Sequence, residues 1–418
     1  MRRTKYLVLL SISFCIYLLS CSKKANYFYI SSVADLETRA VASTAESLAE
    51  RCNDNMAYAP QVGEPLLHKM REVKVNVHFM YDDNGNHNFG KAEGKKFMKE
   101  LIHNANTRLS KVHAMNLPEG NNTPTFPAQM KYVITPATNA PGDDGFYFHN
   151  DSELYYFINK GKARNNYSRD VIKEYSIGSD SILNIFVLPH HPDSTKSKTY
   201  KPHGSGIALG TSLKVAGLYE NDRKSWTYAT LVNHEIGHIF GLRHSWTGND
   251  GCDDTPKHPN CWDKKHPKCR GKSLASNNMM DYNSSQMAIT PCQMGLVRKN
   301  IAKIDGKHRN LVIPTWCNLD ITQTILIKDN KIWNGAQDLH HNVIVKKGAE
   351  LTIACRVSFP RDAKITVEPG GKLILDNAWL HNSCNDTWLG VEIIQAGKNS
   401  GIVEYIGDVK IDNVLDPT

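Results

Sequence analysis

The stretch His234-Glu235-Ile236-Gly237-His238-Ile239-Phe240-Gly241-Leu242-Arg243-His244 decides the reading of this chain. Two histidines four residues apart on a helix face the same way, so both imidazoles can reach one metal ion. Glu235 follows the first of them, where its carboxylate can act as general base on a water at that metal. Gly241 lets the chain leave the helix through a backbone conformation that other residues resist, and the turn returns His244 as a third ligand. Three protein ligands leave a fourth position for water, the pattern of a catalytic rather than a structural zinc site. The competing reading is an amphipathic helix with surface histidines, and Leu231, Val232, Ile236, Ile239 and Phe240 do give this helix an apolar face. That reading accounts for neither Gly241 nor His244.

Three further segments lie downstream: Gly251-Cys252-Asp253-Asp254-Thr255-Pro256, Asn278-Met279-Met280-Asp281-Tyr282 and Thr290-Pro291-Cys292-Gln293. With the histidine motif they resemble the pappalysin family of the metzincin clan of zinc endopeptidases. The resemblance runs over roughly residues 70 to 305 and is densest from 231 to 296. It implies one catalytic Zn²⁺ on His234, His238 and His244, with Glu235 as general base and Tyr282 at the zinc or the oxyanion. Met280 would form the floor of the site without ligating the metal. The substrates would be proteins or peptides, whose extended backbone would pair with an edge strand near Gly204 to Leu209. Pappalysin-like sequences often carry a longer acidic stretch before D-T-P that helps to hold calcium. Here only Asp253 and Asp254 stand beside the cysteine, which puts a Ca²⁺ site in doubt. Asp254 and Asp281 read as organisers of loops.

Strands are expected at Glu72–Met80, where apolar and polar residues alternate as in a half-buried strand, at Met130–Ile134 and at Ser181–Leu188. Helices are expected over residues 91 to about 113 and over Ser152–Ile158. This alternation predicts an α+β catalytic domain with a twisted, mostly parallel sheet backed by helices and by the zinc helix. From about residue 316 short apolar alternations replace it. Val345 to Ile353 is echoed by Val367 to Leu375, with Val, Gly and Leu recurring every 22 residues. This predicts an all-β module built as a β-solenoid, with a small sandwich as the alternative. The pair His340-His341 reads as a surface turn there.

The chain has 418 residues and a formal net charge of +8. The charge is scattered, with no basic stripe and interleaved aromatics, so nucleic acid is not an expected partner. Residues 1–21 read as a targeting segment: Arg2, Arg3 and Lys5 precede an apolar run from Tyr6 to Leu19 that ends at Cys21. This resembles a bacterial lipoprotein signal, with Cys21 as the acylated residue, and plain secretion is the alternative. The expected location is therefore outside the cytoplasm, on a bacterial cell surface through a lipid anchor or free. Residues 22–65 form a lead or propeptide, 66–312 the protease domain and 313–418 the β-rich accessory module. A cell-surface binding protein, with its main role in that module, is the alternative function.

Ten cysteines fit an oxidising compartment. Cys252, Cys261, Cys269 and Cys292 permit three pairings, and the family resemblance favours Cys252 with Cys269 and Cys261 with Cys292. A second, structural zinc is the rival reading. The segment Glu50-Arg51-Cys52 resembles a latency switch, in which a propeptide cysteine occupies the open metal position; Cys52 could equally be a disulfide partner of a later cysteine.

Overall fold

The structure is a computed structural model, described for residues 25–35, 52–61, 63–117, 120–158, 166–191, 195–196, 198, 204–220, 223–258, 276–282 and 286–415. The targeting segment, with Cys21, and the cysteines Cys261 and Cys269 lie outside these residues. Among the described residues no helix is long and apolar enough to cross a membrane.

Strand β1 (Ala25–Ile30) lies at the start of the described chain. The protease sheet begins with β2 (Arg71–Tyr81), the strand around which it is organised. β3 (Met130–Ile134) pairs with residues 71–75 of β2, β4 (Phe146–Asn150) with residues 77–81, and β5 (Leu183–Val187) with the opposite edge, all parallel. β6 (Ser205–Leu209) and β7 (Ser212–Ala216) complete it; β7 runs parallel to β5, and β6 lies antiparallel to β7 at the end of the sheet. β2 has strands on both edges and helices against its face. Its second half is therefore buried at every residue rather than at alternate ones.

Helix α1 (Lys91–Ser110) turns Met98, Leu101, Ile102, Ala105 and Leu109 inward. Helix α2 (Asp170–Tyr175) is short, and α3 (Ala229–Ile239) carries the first two histidines of the motif. Asn233 on α3 donates to the Ala105 carbonyl on α1 at 3.1 Å, locking the two helices. The expected helix over Ser152–Ile158 is instead a series of turns. The Asp151 carboxylate accepts from the backbone of Glu153 and Leu154, and the consecutive residues Tyr155, Tyr156 and Phe157 are all buried. Three successive residues cannot share one helical face.

Helices α4 (Pro291–Ala302) and α5 (Lys307–Asn310) close the protease part. Beyond them come short strands in three sheets. Val345 pairs with Val367 and Leu351 with Leu373, both parallel and 22 residues apart, so the sequence echo falls on hydrogen-bonded neighbours. Valine, leucine and isoleucine side chains at these positions face inward and are fully buried. His340 and His341 are buried here, contrary to the surface-turn reading. His341 Nδ1 stands 3.0 Å from the Asp320 carbonyl oxygen, and His340 Nε2 stands 3.1 Å from Thr315 Oγ1.

The N-terminal lead belongs spatially to this C-terminal part. β1 adds antiparallel to Val391–Ala396, and Tyr29 donates to Glu392 at 2.8 Å. Cys52 is bonded to Cys355. Its sulfur is therefore not free to meet a metal, and the latency reading gives way to the disulfide alternative.

Candidate active site

Helix α3 ends because Gly241 adopts φ 96°, a left-handed conformation in which the Gly241 and Leu242 amides return to the carbonyls of His238 and Gly237. The turn brings His244 beside the two helical histidines. His238 Nε2 lies 3.1 Å from His234 Nε2 and 3.0 Å from His244 Nε2. His234 Nδ1 stands 2.9 Å from the Met279 carbonyl oxygen, and His238 Nδ1 stands 2.8 Å from that of Leu242. A carbonyl only accepts, so both Nδ1 atoms carry the hydrogen and both Nε2 atoms present lone pairs to one another. Burial lowers His234 to about 3 and His244 to about 4, which keeps them neutral. Neutral lone pairs facing each other at this distance repel unless a cation lies between them. Tetrahedral zinc with bonds of about 2.0–2.1 Å would set its nitrogens roughly 3.3 Å apart. The donor set therefore fits Zn²⁺, and the backbone carbonyls orient the rings as outer partners do in metal sites.

Glu235 is 8% exposed, and its carboxylate accepts from the Ala208 amide of β6 at 3.0 Å. Burial pushes its pKa up to about 7, while the Ala208 bond opposes the rise. The edge strand is thus tied to the helix through this carboxylate.

The floor of the site is Met280, fully buried under α3. It fits because residue 237 is glycine: a Cβ there would stand 2.6 Å from the Met280 sulfur. The turn carrying Met280 is held by hydrogen bonds that join all three downstream motifs. Asn278 accepts from the Met280 amide at 2.8 Å and donates to Gln293 at 2.9 Å. Gln293 and Thr290 form a capping box at the start of α4, with Pro291 in the first helical turn. Thr290 donates in turn to Asp254 at 2.7 Å, and Asp254 also accepts from the Cys292 amide at 3.0 Å. Asp281 accepts from Ser245 at 2.6 Å and lies 3.1 Å from His258 Nε2. Both aspartates tie loops together. Asp254 and the cap of α4 bring Cys252 to Cys292, and these two are bonded, which corrects the expected partners Cys269 and Cys261. With its two sulfurs bonded to each other, this pair does not offer thiolates to a structural zinc.

The Tyr282 ring lies 4.7 Å from that of His244 and 5.6 Å from that of His234, and it is partly exposed. Two neighbours are not evident from sequence motifs. Trp246 stacks on His244 at 4.1 Å and packs on Tyr282 at 4.7 Å. Gln286 donates to the Met279 carbonyl at 3.2 Å and to that of Asp281, buttressing the turn behind His234.

Residues 194–302 match the peptidase M43 family model, described as pregnancy-associated plasma protein-A. No curated protein sequence matches the chain. Among solved structures, mirolysin in complex with compound 9 is similar at 17% identity, over 59% of this chain and 97% of that one, with a TM-score of 0.41. Mature mirolysin of Tannerella forsythia in complex with a cleaved peptide is similar at 18% identity, over 59% and 96%, with a TM-score of 0.38. With the histidine motif, the methionine turn and the family match in one segment, the chain carries a pappalysin-like metalloendopeptidase domain of the metzincin clan.

Proposed function

We propose that this chain is an exported, zinc-dependent endopeptidase that cleaves peptide bonds in extended segments of protein substrates. The convergence of three imidazole Nε2 atoms beside one buried carboxylate carries the reading. His234, His238 and His244 would hold zinc, which would supply a Lewis acid for the scissile carbonyl and make water more acidic. Glu235 accepts the proton of the attacking water on its carboxylate and delivers it to the departing amine. Burial raises this carboxyl, and a bound cation would lower it toward the ionised form that takes the proton. Tyr282 donates its phenol hydrogen to the developing oxyanion. The outer edge of β6, paired with no other strand among the described residues, aligns the substrate backbone as an added strand, sequence-tolerant because main-chain groups make the bonds. Incubation with an unfolded protein substrate tests this: cleavage should stop with a zinc chelator and return with added zinc. Cleavage indifferent to the chelator would refute it.

The C-terminal strands form an accessory β-solenoid, a reading supported by the parallel pairing at a 22-residue spacing. The N-terminal segment supports anchoring through an acylated Cys21. Lipid labelling in the native host that disappears in Cys21→Ser would establish the anchor; an unlabelled parent would mean plain secretion.

A further inference from the structure

The histidine site uses none of the basic residues at the junction between the protease part and the C-terminal strands. Arg71 on β2, Arg298 on α4, Arg309 on α5 and Arg356 in the strand Arg356–Ser358 gather there around Asp338. Arg309 grips that carboxylate with both ends of its guanidinium, at 2.7 and 3.1 Å, and Arg356 reaches it at 2.8 Å. Both carboxylate oxygens are thereby occupied. Arg71 finds only the main-chain oxygen of Asp338, at 3.5 Å. Arg298 finds only the carbonyls of Lys69 and Leu67, at 3.4 and 3.2 Å. The Trp316 ring lies under Arg71 and Arg309, at 5.1 and 4.3 Å, and offsets only part of the remaining charge. Burial, with Arg71 adding to it, lowers Arg298 to about 9, so it is still a cation at neutral pH. One carboxylate thus faces three buried guanidiniums, with the half-buried Arg298 beside them.

A small cavity lies against this surplus, bounded by Tyr58, His68, Arg71, Arg298, Gln337 and Asp338. Two nitrogens of its wall residues, Arg71 Nη1 and His68 Nδ1, are buried without a hydrogen-bond partner. Arg71 is 6% exposed and His68 5%. Arg71 Nη1 is a charged donor and His68 Nδ1 a donor or acceptor by tautomer, and a buried polar group without a partner costs about 1–3 kcal/mol, more when charged. The cavity gives about 10 Å³ to the centre of a water-sized sphere, room for one small ligand. A water would satisfy the donors and leave the charge. Phosphate, sulfate and carboxylates would neutralise charge but exceed the room.

We propose that this cavity is a binding site for a single halide-sized anion, chloride under ordinary conditions, which ties β2 and α4 of the protease part to residues 337–338 of the C-terminal part. The anion accepts from Arg71 Nη1 and from His68 as its Nδ1–H tautomer, and it offsets one of the surplus charges. The site is remote in role from peptide hydrolysis and would stand if the zinc reading failed.

The full chain, purified and crystallised in bromide, tests this by anomalous diffraction. A bromide peak in the cavity, absent from Arg298→Met crystals grown alongside, is the expected result. Thermal unfolding at constant ionic strength should agree: replacing gluconate by chloride should raise Tm by a few °C for each tenfold above the dissociation constant. The parent alone decides the matter if the variant does not fold. Solvent density without anomalous signal in the cavity, together with a Tm indifferent to the anion, would overturn the proposal.

Discussion

The protease part and the C-terminal part bury different things. Around α3 the buried residues include His234, Glu235, Asn278, Asp281 and Gln293, each held by a named partner. In the C-terminal strands the buried set is mainly valine, leucine and isoleucine, stacked on their counterparts in neighbouring strands. Burial in the first region sets reactivity: it holds imidazoles neutral and lifts a carboxyl toward pH 7. In the second it supplies cohesion. A substitution in one region should therefore leave the other's property nearly intact.

The largest effect that would sharpen this contrast is on metal binding. His244→Ala should weaken zinc affinity by more than about 100-fold, since even outer-shell changes cost 10–100-fold, while its Tm without metal stays close to the parent's. Metal analysis and calorimetry would check it, and an unchanged affinity would break the three-histidine reading. In the C-terminal part, Leu351→Ala should cost ~2–5 kcal/mol of stability, because its fully buried side chain leaves a cavity. Its kcat/KM per folded molecule should match the parent's; a large fall would show that the two regions are not separable.

A smaller effect concerns pH. The folded Glu235 carboxyl keeps its proton up to about 7, whereas the unfolded one loses it near its ordinary value of 4.5. Ionisation in the folded, metal-free protein is thus disfavoured, and stability falls as pH rises through that window and stays lower above it. Metal-free Glu235→Gln should be the more stable form at pH 8, by something on the order of 2 kcal/mol. That advantage should fade below the lower value. Denaturant titrations at the two ends of the window measure it, and an equal difference at both ends would contradict the assignment. The smallest effect is Tyr282→Phe, which should lower kcat about tenfold with little change in KM, since the lost hydrogen bond is made mainly in the transition state.

Spacing made the histidine site legible, because a helix and one glycine turn determine where three side chains meet. The T-P-C-Q run carried only a family resemblance; its capping box and the bond through Gln293 to Asn278 emerge from the folded turn. Trp246 and Gln286 follow no period, and only the folded turn places them beside His244 and behind His234. The full burial of β2 escaped the alternation rule because strands flank it on both edges. The join of Cys52 to Cys355 spans 303 residues, and β1 pairs with a strand still further along. No local pattern carries contacts of that range. The 22-residue echo was visible because neighbouring strands repeat the same inward residues.

Cleavage of a mixed peptide library by the zinc-loaded protein, with Glu235→Ala alongside, tests the central claim most directly. The parent should cleave, with the variant still holding zinc and slowed about 10²–10⁴-fold. Equal cleavage by both would contradict that claim.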